Sequence, residues 1–392
     1  MRILHVITRL IIGGAQENTL LSVKGLLDRG HDVLLVTGPA PGPEGDLFEQ
    51  ARAWDVPTII LDELCREINP VRDARALVKL ERVLVRRRPD VVHTHSSKAG
   101  IVGRLAARIA RVPVIIHTIH GTSFGSHEPA WRNALFRAAE RSCACWTDRI
   151  VTVADAMIEE SLAARTAPRS KFLTVYSGMD VEPFLESERL RGDARKRFGF
   201  RDDEVVVGKI ARLFEFKGHE DVLRAAQAAC REVPNLHLLF VGDGILRGRL
   251  EELAVELGVR EKVVFAGLLP PSEIPEAIAA MDVVVHASLR EGLARALPQA
   301  LLSGRPAIAY ALDGAPEVVL PDKTGILVQP GDVGELARAM VKLTRDAGAR
   351  AAMGKLGREL FRDQFRAEVM VQRLEELYRA ELSRKSARRF SR

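Results

Sequence analysis

The sequence lacks the features that would place this protein in a bilayer or make it depend on disulfide bonds. Although 47% of its 392 residues are hydrophobic, no apolar run reaches the roughly 18 residues that a membrane-spanning helix needs. The four cysteines form no CxxC pair, and no Cys/His group has zinc spacing. We therefore expect free thiols in a reducing cytoplasm, and we interpret the opening MRILHVITRL as a first strand, not a signal peptide.

Two ligand-binding motifs are also missing. No GxGxxG follows the first strand and no acidic residue follows the second, which disfavours a nicotinamide-dependent dehydrogenase. No strand ends in Asp-x-Asp, which would hold Mg²⁺ against a diphosphate. His93 and His95 form His-x-His, but no carboxylate stands at supporting spacing. We therefore expect no metal and no cofactor, so protein cations would have to neutralise a bound diphosphate.

What the sequence does contain is an alternation of short β-branched runs and helical stretches, typical of βαβ units around a parallel sheet. The alternation stops in the polar, turn-rich segment 176–204 and then resumes. The predicted fold is α/β, with two doubly wound domains facing across a cleft. The predicted divisions are residues 1–180, residues 181–365 and, at 366–392, a helix that packs back toward the first domain followed by a basic tail.

In the first domain, the candidate residues lie just beyond the ends of strands, where open α/β sheets bind ligands. Gly13 and Gly14 open the first helix, where glycine lets the backbone approach a ligand and free N–H groups face an anion. The alternative is a tight strand–helix turn. Alternation places His117 inside the sheet as a structural histidine, whereas His120 falls past the strand end and is the catalytic candidate.

In the second domain, cations in one loop and a carboxylate in another form the candidate site. Arg212 follows a strand and Lys217 stands near the start of the next helix, a pair able to hold a diphosphate. Glu291 precedes a helix predicted over 293–303 and can accept hydrogen bonds from neutral hydroxyls. Gln299 lies about two turns further on, where it can flank the same elongated ligand.

The net charge of +6 at pH 7 is unevenly distributed. The run RRR at 86–88 is basic, and helical spacing puts Arg104, Arg108 and Arg111 on one face. Such blocks suit an anionic bilayer or a lipid-linked phosphate. The alternative is a solvated face of an arginine-rich protein. We expect no nucleic-acid partner.

Seven stretches, in order along nearly the whole chain, resemble the retaining GT-B glycosyltransferases of family 4, of the bacterial polysaccharide and lipopolysaccharide type. The stretches are GGAQ, DVVHTHSSKAGIVGRLAA, HTIHGTSF, YSGMDVEPF, GKIARLFEFKG, LLFVGDG and EGLARALPQALLSGRP. The resemblance implies a GT-B fold of two Rossmann-like domains. It also implies metal-independent transfer of a sugar from a UDP- or GDP-sugar to a hydroxyl of a glycan or lipid-linked acceptor, with retention. The expected location is cytoplasmic, including the inner face of the cell membrane.

The resemblance also implies roles for individual residues. Arg212 and Lys217 would bind the donor diphosphate, Glu291 would hold the donor sugar, and His120 would lie near the transferred sugar. The further donor contacts would come from Gly13, Gly14, Gly242, Gly292, Leu293, Ala294 and Gln299. Gln299 departs from the family, whose second glutamate binds the nucleotide ribose. Because an amide still accepts a hydrogen bond, we expect the change to weaken nucleotide binding by about 1 kcal/mol.

Two other functions would use the same features. A GT-B nucleotide-sugar epimerase would bind the same donor without an acceptor, and a non-catalytic nucleotide-sugar-binding scaffold would account for Gln299. The order of the motifs and the absence of a catalytic acid cluster favour the transferase over the epimerase. The intact Glu291 favours it over the scaffold.

Overall fold

The computed structural model describes residues 1–40, 45–121, 124 and 129–390, with the backbone alone for 388–390. Thr122 and Ser123 of the HTIHGTSF stretch lie outside the described residues. So do Ser391 and Arg392, the last two residues of the basic tail. The chain forms two compact units, Met1–Met179 with Arg366–Arg392 and Asp180–Phe365. The C-terminal segment therefore belongs to the first unit.

The helices and strands alternate along the chain. The strands are β1 (Arg2–Ile7), β2 (Asp32–Thr37), β3 (Thr58–Ile60), β4 (Val91–His95), β5 (Val114–Ile119), β6 (Arg149–Thr152), β7 (Phe172–Thr174), β8 (Val205–Ile210), β9 (Leu236–Val241), β10 (Val263–Gly267), β11 (Val283–His286), β12 (Ala307–Tyr310) and β13 (Gly325–Val328). The helices are α1 (Gly14–Asp28), α2 (Phe48–Ala53), α3 (Pro70–Arg87), α4 (Ser97–Ile109), α5 (Ala130–Ala144), α6 (Ala156–Ala163), α7 (Glu182–Leu185), α8 (Arg191–Phe198), α9 (His219–Glu232), α10 (Arg247–Glu256), α11 (Ile274–Ala279), α12 (Ala296–Leu302), α13 (Val333–Arg345), α14 (Ala347–Phe361) and α15 (Ala367–Phe390).

The first unit is built on a seven-stranded sheet of order β3-β2-β1-β4-β5-β6-β7. Its strand pairs are parallel. Alternate residues of β1 face opposite ways: Ile3 and Ile7 pack with α1 and α15, whereas Leu4 and Val6 pack with α3 and α4. Both faces of the sheet are therefore covered, as the continuous apolar strands predicted. The strand order reverses between β1 and β4, which makes their carboxyl ends the switch point where such sheets bind ligands.

The C-terminal helix α15 is part of the core of the first unit. Met370, Val371, Leu374 and Tyr378 are buried in the same cluster as β1 and α1. Close to α15, Gly178 has no room for a side chain, since a Cβ there would stand 2.7 Å from Cα of Ala367.

The second unit repeats the plan with a six-stranded parallel sheet of order β10-β9-β8-β11-β12-β13. One apolar cluster joins β8, β9 and β11 to α9 and α13. The strand order reverses between β8 and β11. The loops that follow these two strands therefore lie at the switch point of this sheet.

Several predicted elements need correction. The helix predicted over 293–303 begins only at Ala296, so the residues just after Glu291 form a loop. Helices α2, α7, α8 and α14 were not predicted. The sequence of α14, AGARAAMGKLGRELF, contains three glycines, which disfavour an isolated helix, and packing against α12 overrides that tendency.

The prediction of a basic face along α4 is partly wrong. Arg104 is fully buried, and its Nη2 donates to Oε2 of Glu140 on α5 at 2.8 Å. Its Nε donates to the carbonyl of Gly100. A guanidinium can be buried when it has a carboxylate and further hydrogen-bond acceptors, and Glu140 supplies that carboxylate. Arg108 and Arg111 remain exposed.

Candidate functional site

His120 follows β5 directly and is joined to buried histidines of neighbouring strands. Its Nε2 lies 3.1 Å from Nδ1 of His95 in β4. Nε2 of His95 lies 2.9 Å from Nδ1 of His5 in β1. His5 and His95 are fully buried and His120 is half-buried. We call these three residues the histidine chain, and His120 is its outer end.

His93 lies beside the histidine chain, with its ring centroid 4.3 Å from that of His95. One nitrogen from each of His5, His93 and His95 lies within 4.8 Å of the other two, a spacing that could suit a metal ion. Both nitrogens of His93 already have partners, since Nδ1 lies 2.5 Å from the Tyr378 hydroxyl and Nε2 lies 2.6 Å from Oγ1 of Thr118. The arrangement is therefore that of imidazoles hydrogen-bonded to one another and to hydroxyls.

Burial keeps the rings of His5, His93 and His95 neutral at pH 7. Desolvation lowers the pKa of His5 to about 3. Desolvation, and then the neighbouring histidines, also hold the pKa of His93 and His95 well below the usual range. A neutral imidazole carries one N–H and one lone pair, so each ring can both donate and accept within the group.

The prediction that His117 is a structural histidine is confirmed. It is 2% exposed, and its Nδ1 lies 2.9 Å from Oγ1 of Thr94. Its ring also fills the space beside Gly100, where a Cβ would stand 2.5 Å from Cε1 of His117.

Gly13 and Gly14 open α1, as predicted. Gly13 is the N-cap residue, and its carbonyl accepts the N–H groups of Gln16 and Glu17 at 3.1 and 2.9 Å. Its φ of 173° is extended backbone that any residue adopts. A Cβ at Gly13 would stand 2.8 Å from Oε1 of Gln16, so a larger residue would displace that side chain from the first turn.

In the second unit, the loops after β8 and β11 are joined by an ion pair. Nζ of Lys217 lies 2.5 Å from Oε1 of Glu291, and Oγ of Ser288 donates to the same oxygen at 3.2 Å. Nε2 of His286 lies 3.7 Å from it. The structure therefore brings two of the predicted site residues, Lys217 and Glu291, into direct contact at the switch point.

Backbone contacts hold these two loops together. The carbonyl of Phe216 accepts hydrogen bonds from the N–H of Leu289 and from Oγ of Ser288, at 2.8 and 3.1 Å. Gly218 has a φ of +68°, and a Cβ there would stand 1.8 Å from the carbonyl oxygen of Ala287. Only glycine fits this left-handed, crowded position, which places Lys217 opposite Glu291.

Glu291 is charged at neutral pH in this setting. Desolvation raises its pKa, but the charge of Lys217, then His286 and the hydrogen bonds from Lys217 and Ser288, together hold the pKa below the usual range. Its backbone N–H donates to Oδ2 of Asp313 at 2.6 Å. Burial raises the pKa of Asp313, and the charge of Glu291 adds to this.

Arg212 and Gly242 lie where β8 and β9 end. The Arg212 guanidinium carbon stands 5.0 Å from the centroid of the Phe214 ring, a cation–π geometry. Gly242 has a φ of +134°, and a Cβ there would stand 2.1 Å from the carbonyl oxygen of Ala211. The glycine therefore lets the turn after β9 pack against the backbone next to Arg212.

The loop formed by Gly292, Leu293 and Ala294 connects Glu291 to α12. The carbonyl of Gly292 accepts the N–H of Gly314 at 2.8 Å, which ties this loop to the one after β12. Gln299 is the fourth residue of α12 and is 9% exposed. Pro298 fits the first turn because its missing N–H would have no partner within the helix.

Sequence reasoning missed a group of buried titratable residues beneath the ion pair. Lys209, His219 and His286 are buried, and Nζ of Lys209 and both nitrogens of each histidine have no hydrogen-bond partner among the described residues. Burial, and then the charge of Lys217, lower the pKa of Lys209 to about 7. The signal in the sequence was a lysine inside the apolar strand VVVGKI, since lysine is almost never fully buried.

Comparison with known proteins identifies the family. A model described as "Glycosyl transferase 4-like domain" matches residues 13–178, and one described as "Glycosyl transferases group 1" matches residues 191–360. The chain is 29% identical over 351 residues to the UDP-Gal:alpha-D-GlcNAc-diphosphoundecaprenol alpha-1,3-galactosyltransferase of Escherichia coli, and the match covers 88% of each chain. It is 32% identical over 286 residues to the GDP-mannose-dependent alpha-(1-6)-phosphatidylinositol monomannoside mannosyltransferase of Mycolicibacterium smegmatis, covering 71% of this chain and 73% of that protein.

Solved structures share the fold. Anabaena HepE in complex with UDP and glucose matches with a TM-score of 0.83 at 22% identity, covering 96% of this chain and 99% of that one. Sucrose-phosphate synthase from Thermosynechococcus elongatus also matches with a TM-score of 0.83, at 21% identity, covering 98% and 99% of the two chains. Two Rossmann-like units with parallel sheets of seven and six strands define the GT-B class of fold. Within that class, the chain belongs to the family 4 type.

Proposed function

We propose that the protein transfers a hexose from a UDP- or GDP-sugar to a hydroxyl of a glycan or lipid-linked acceptor, with retention at the anomeric carbon and without a metal ion. The observation that carries the proposal is the contact between Lys217 and Glu291 at the switch point of the second unit. It provides a cation for phosphate and a carboxylate for sugar hydroxyls in the place where α/β sheets bind ligands.

The donor is a nucleoside diphosphate sugar on this proposal. Relatives of this chain carry UDP-Gal and GDP-mannose in their names, which supports the donor class and leaves the base open. A diphosphate needs positive charge, and Arg212 and Lys217 supply it on the loop after β8. Glu291 then accepts hydrogen bonds from the sugar, and Gln299 accepts one from the ribose. Gly242 and the backbone of Gly292, Leu293 and Ala294 complete the donor contacts.

The proposed reaction breaks the bond between the anomeric carbon and the diphosphate and forms the new glycosidic bond on the same face. The acceptor hydroxyl attacks, and its proton passes to a β-phosphate oxygen of the departing nucleotide. Arg212 and Lys217 stabilise the negative charge that develops on that leaving group. His120 contacts the transferred sugar, and Gly13 and Gly14 allow the loop before α1 to approach the diphosphate and the acceptor.

Of the two acceptor classes, we favour the lipid-linked one, and we propose α3 as the surface that meets the membrane. Val71, Val78 and Val85 recur every seven residues along α3 and are 61%, 46% and 51% exposed. Exposed arginines flank them, among them Arg75 and Arg82. An apolar stripe bordered by cations suits an anionic bilayer surface. The names of the two relatives, which contain diphosphoundecaprenol and phosphatidylinositol monomannoside, support the same acceptor class.

The membrane surface predicted from the sequence included Arg104, which is buried and therefore cannot contribute. The arginines at 86–88, which were also predicted, adjoin the valine stripe of α3 and are exposed. None of the helices in the described part of the chain is long and apolar enough to span a membrane. The contact we propose is peripheral, at the cytoplasmic face.

Calorimetric titration with UDP, GDP and ADP in the presence of EDTA tests the donor site. Preferred binding of UDP or GDP that persists in EDTA supports the proposal, whereas binding that requires a divalent cation contradicts its metal-free form. Incubation with nucleotide-sugars that contain the preferred nucleotide then distinguishes a transferase from an epimerase and from a non-catalytic scaffold. A sugar isomer formed from the donor alone would indicate an epimerase, and tight donor binding without transfer to any acceptor would indicate a scaffold.

Co-sedimentation with vesicles that contain anionic phospholipid tests the membrane surface. We expect the wild type to bind and Val78→Asp with Arg82→Glu to lose binding. Val255→Asp is the matched control, because Val255 is 63% exposed on α10 of the second unit. Equal binding by the α3 variant and the control would contradict the assignment of α3.

A further inference from the structure

The histidine chain has only two consistent arrangements of its hydrogens. Each of its two inter-ring contacts, His5 to His95 and His95 to His120, is a hydrogen bond that needs one hydrogen. A neutral imidazole supplies one N–H and one lone pair. The hydrogens must therefore all be directed outward, from His5 toward His120, or all inward.

The inner end of the chain distinguishes the two arrangements. Nε2 of His5 is buried and has no hydrogen-bond partner among the described residues. The inward arrangement places an N–H on this nitrogen, whereas the outward one leaves a lone pair there. A buried N–H without an acceptor is rarer than an acceptor without a donor, and leaving it unsatisfied costs desolvation free energy. The outward arrangement is therefore favoured.

We propose that His5 and His95 are positioning residues that fix His120 as its Nδ1–H tautomer. Nδ1–H of His5 donates to Nε2 of His95, and Nδ1–H of His95 donates to Nε2 of His120. His120 then carries its hydrogen on Nδ1, and its Nε2 lone pair is occupied by His95. In this tautomer, Nδ1 of His120 is a hydrogen-bond donor and not a base.

Two further observations support this arrangement. His93 packs against the chain but cannot replace a member of it, because its two nitrogens contact the Tyr378 hydroxyl and Thr118. The inner rings also cannot store a proton, because burial lowers the pKa of His5 to about 3 and that of His95 well below the usual range. The chain therefore sets a tautomer and does not carry net charge inward.

The consequence for catalysis rests on the proposed function, whereas the tautomer does not. In a transfer where a β-phosphate oxygen takes the acceptor proton, His120 has no need to act as a base. Its Nδ1–H would instead be a hydrogen-bond donor, and an oxygen of the donor or the acceptor that accepts this bond would be oriented by it.

The direct test is NMR of the ligand-free, full-length protein with ¹⁵N-labelled histidine. We expect His120 and His95 each to show a protonated Nδ1 and an unprotonated Nε2. A protonated Nε2 on His120 would overturn the proposal. Elemental analysis adds an independent test, because stoichiometric zinc bound to His5 and His95 would leave no place for the bridging hydrogens.

Variants of His5 separate tautomer control from packing. In His5→Phe the ring remains and both nitrogens are lost, so we expect His120 to show a mixture of tautomers. In His5→Asn the side-chain amide stands close to the position of Nδ1 and can still donate to His95, so we expect the Nδ1–H tautomer to return. Identical spectra of His120 in the two variants would overturn the proposal even if both are less stable.

His117→Asn is the matched control, because His117 is also buried in the same sheet and its Nδ1 contacts Thr94. In the His117→Asn variant, the NMR signals of His120 should match those of the wild type. In transfer assays, we expect His5→Phe to lower kcat about tenfold with less effect on KM, and His5→Asn to recover most of the loss. If His120 shows the expected tautomer but the protein transfers no sugar, this inference stands and the proposed function is contradicted.

Discussion

Lys217 and Glu291 are 74 residues apart in the sequence, yet Nζ of one lies 2.5 Å from Oε1 of the other. The contact connects the loops after β8 and β11, the two strands at which the order of the second sheet reverses. An ion pair at this position holds a cation ready for an anionic ligand, and the ligand-free protein keeps that cation neutralised. A diphosphate would share Lys217 with Glu291, so binding need not leave either charge unpaired.

The first prediction concerns the two cations. Arg212→Ala and Lys217→Ala should each lower kcat/KM for transfer by about 10²-fold or more, because each removes charge that stabilises the leaving diphosphate. Both variants should fold, and Lys217→Ala should be the less stable of the two because it leaves Glu291 without its cation. Lys355→Ala is the control, since Lys355 is a lysine of the same unit that is 79% exposed on α14. Near-normal turnover in both site variants would contradict the assigned role.

The second prediction concerns the glycine that lets the two loops meet. Gly218→Ala should destabilise the second unit by about 1 kcal/mol or more, because its φ is +68° and the new Cβ would collide with the carbonyl of Ala287. Displacement of the loop should also separate Lys217 from Glu291 and weaken nucleotide binding. Urea unfolding and calorimetry measure the two effects.

Gly248→Ala is the matched control for this change. Gly248 lies within α10, and a Cβ there meets nothing within 4 Å. Alanine in a helix should be neutral or stabilising by up to about 1 kcal/mol. If Gly218→Ala behaves like Gly248→Ala, the close approach of the two loops does not position Lys217.

The fold could be predicted from the sequence because its strands are continuous apolar runs that only a sheet covered on both faces explains. Residues at strand ends then gave the candidate site, since parallel strands bring their carboxyl ends to one edge. The contact between Lys217 and Glu291 could not be predicted in the same way. It depends on the order of β8 and β11 in the sheet and on the left-handed conformation of Gly218.

Burial of charged side chains was the least predictable feature. Helical spacing correctly placed Arg104 and Arg108 on successive turns of α4, whereas Arg111 lies beyond the end of the helix. Spacing also does not reveal that Glu140 on α5 neutralises Arg104. The sequence analysis did not select His5 or Lys209, whose only signal is that each is a polar residue within an apolar strand. Their partners come from elements far away in sequence, so their surroundings follow from the tertiary structure alone.

The third prediction concerns Lys209. Burial lowers its pKa to about 7 from 10.5, so between these values the unfolded chain binds a proton that the folded protein does not. Stability therefore rises with pH across this window, and the cost of burying the lysine is greatest at and below about pH 7. Lys209→Met should stabilise the protein by about 1–4 kcal/mol at pH 7, with a smaller gain near pH 10.

Chemical denaturation of Lys209→Met and the wild type at pH 7, 8.5 and 10 measures this difference. Lys355→Met, at an exposed position on α14, should show no such pH dependence. A stability difference that does not change with pH would mean that Lys209 is not neutral in the fold. Loss of nucleotide binding in Lys209→Met would further show that its side chain supports the ion pair above it.

The fourth prediction concerns Gln299, for which we propose a contact with the ribose at a position where the resemblance implies a glutamate in the family. Gln299→Glu should raise the affinity for the preferred nucleoside diphosphate about fivefold, because a carboxylate forms a charge-assisted hydrogen bond worth about 1 kcal/mol more. Because the side chain is only 9% exposed, the new carboxylate should also lower the stability of the nucleotide-free protein. Gln299→Met, which has a similar length and no hydrogen-bonding amide, should weaken binding by a comparable factor. If both variants bind the nucleotide as the wild type does, Gln299 does not contact the ribose, and the departure from the family at this position has no effect on donor affinity.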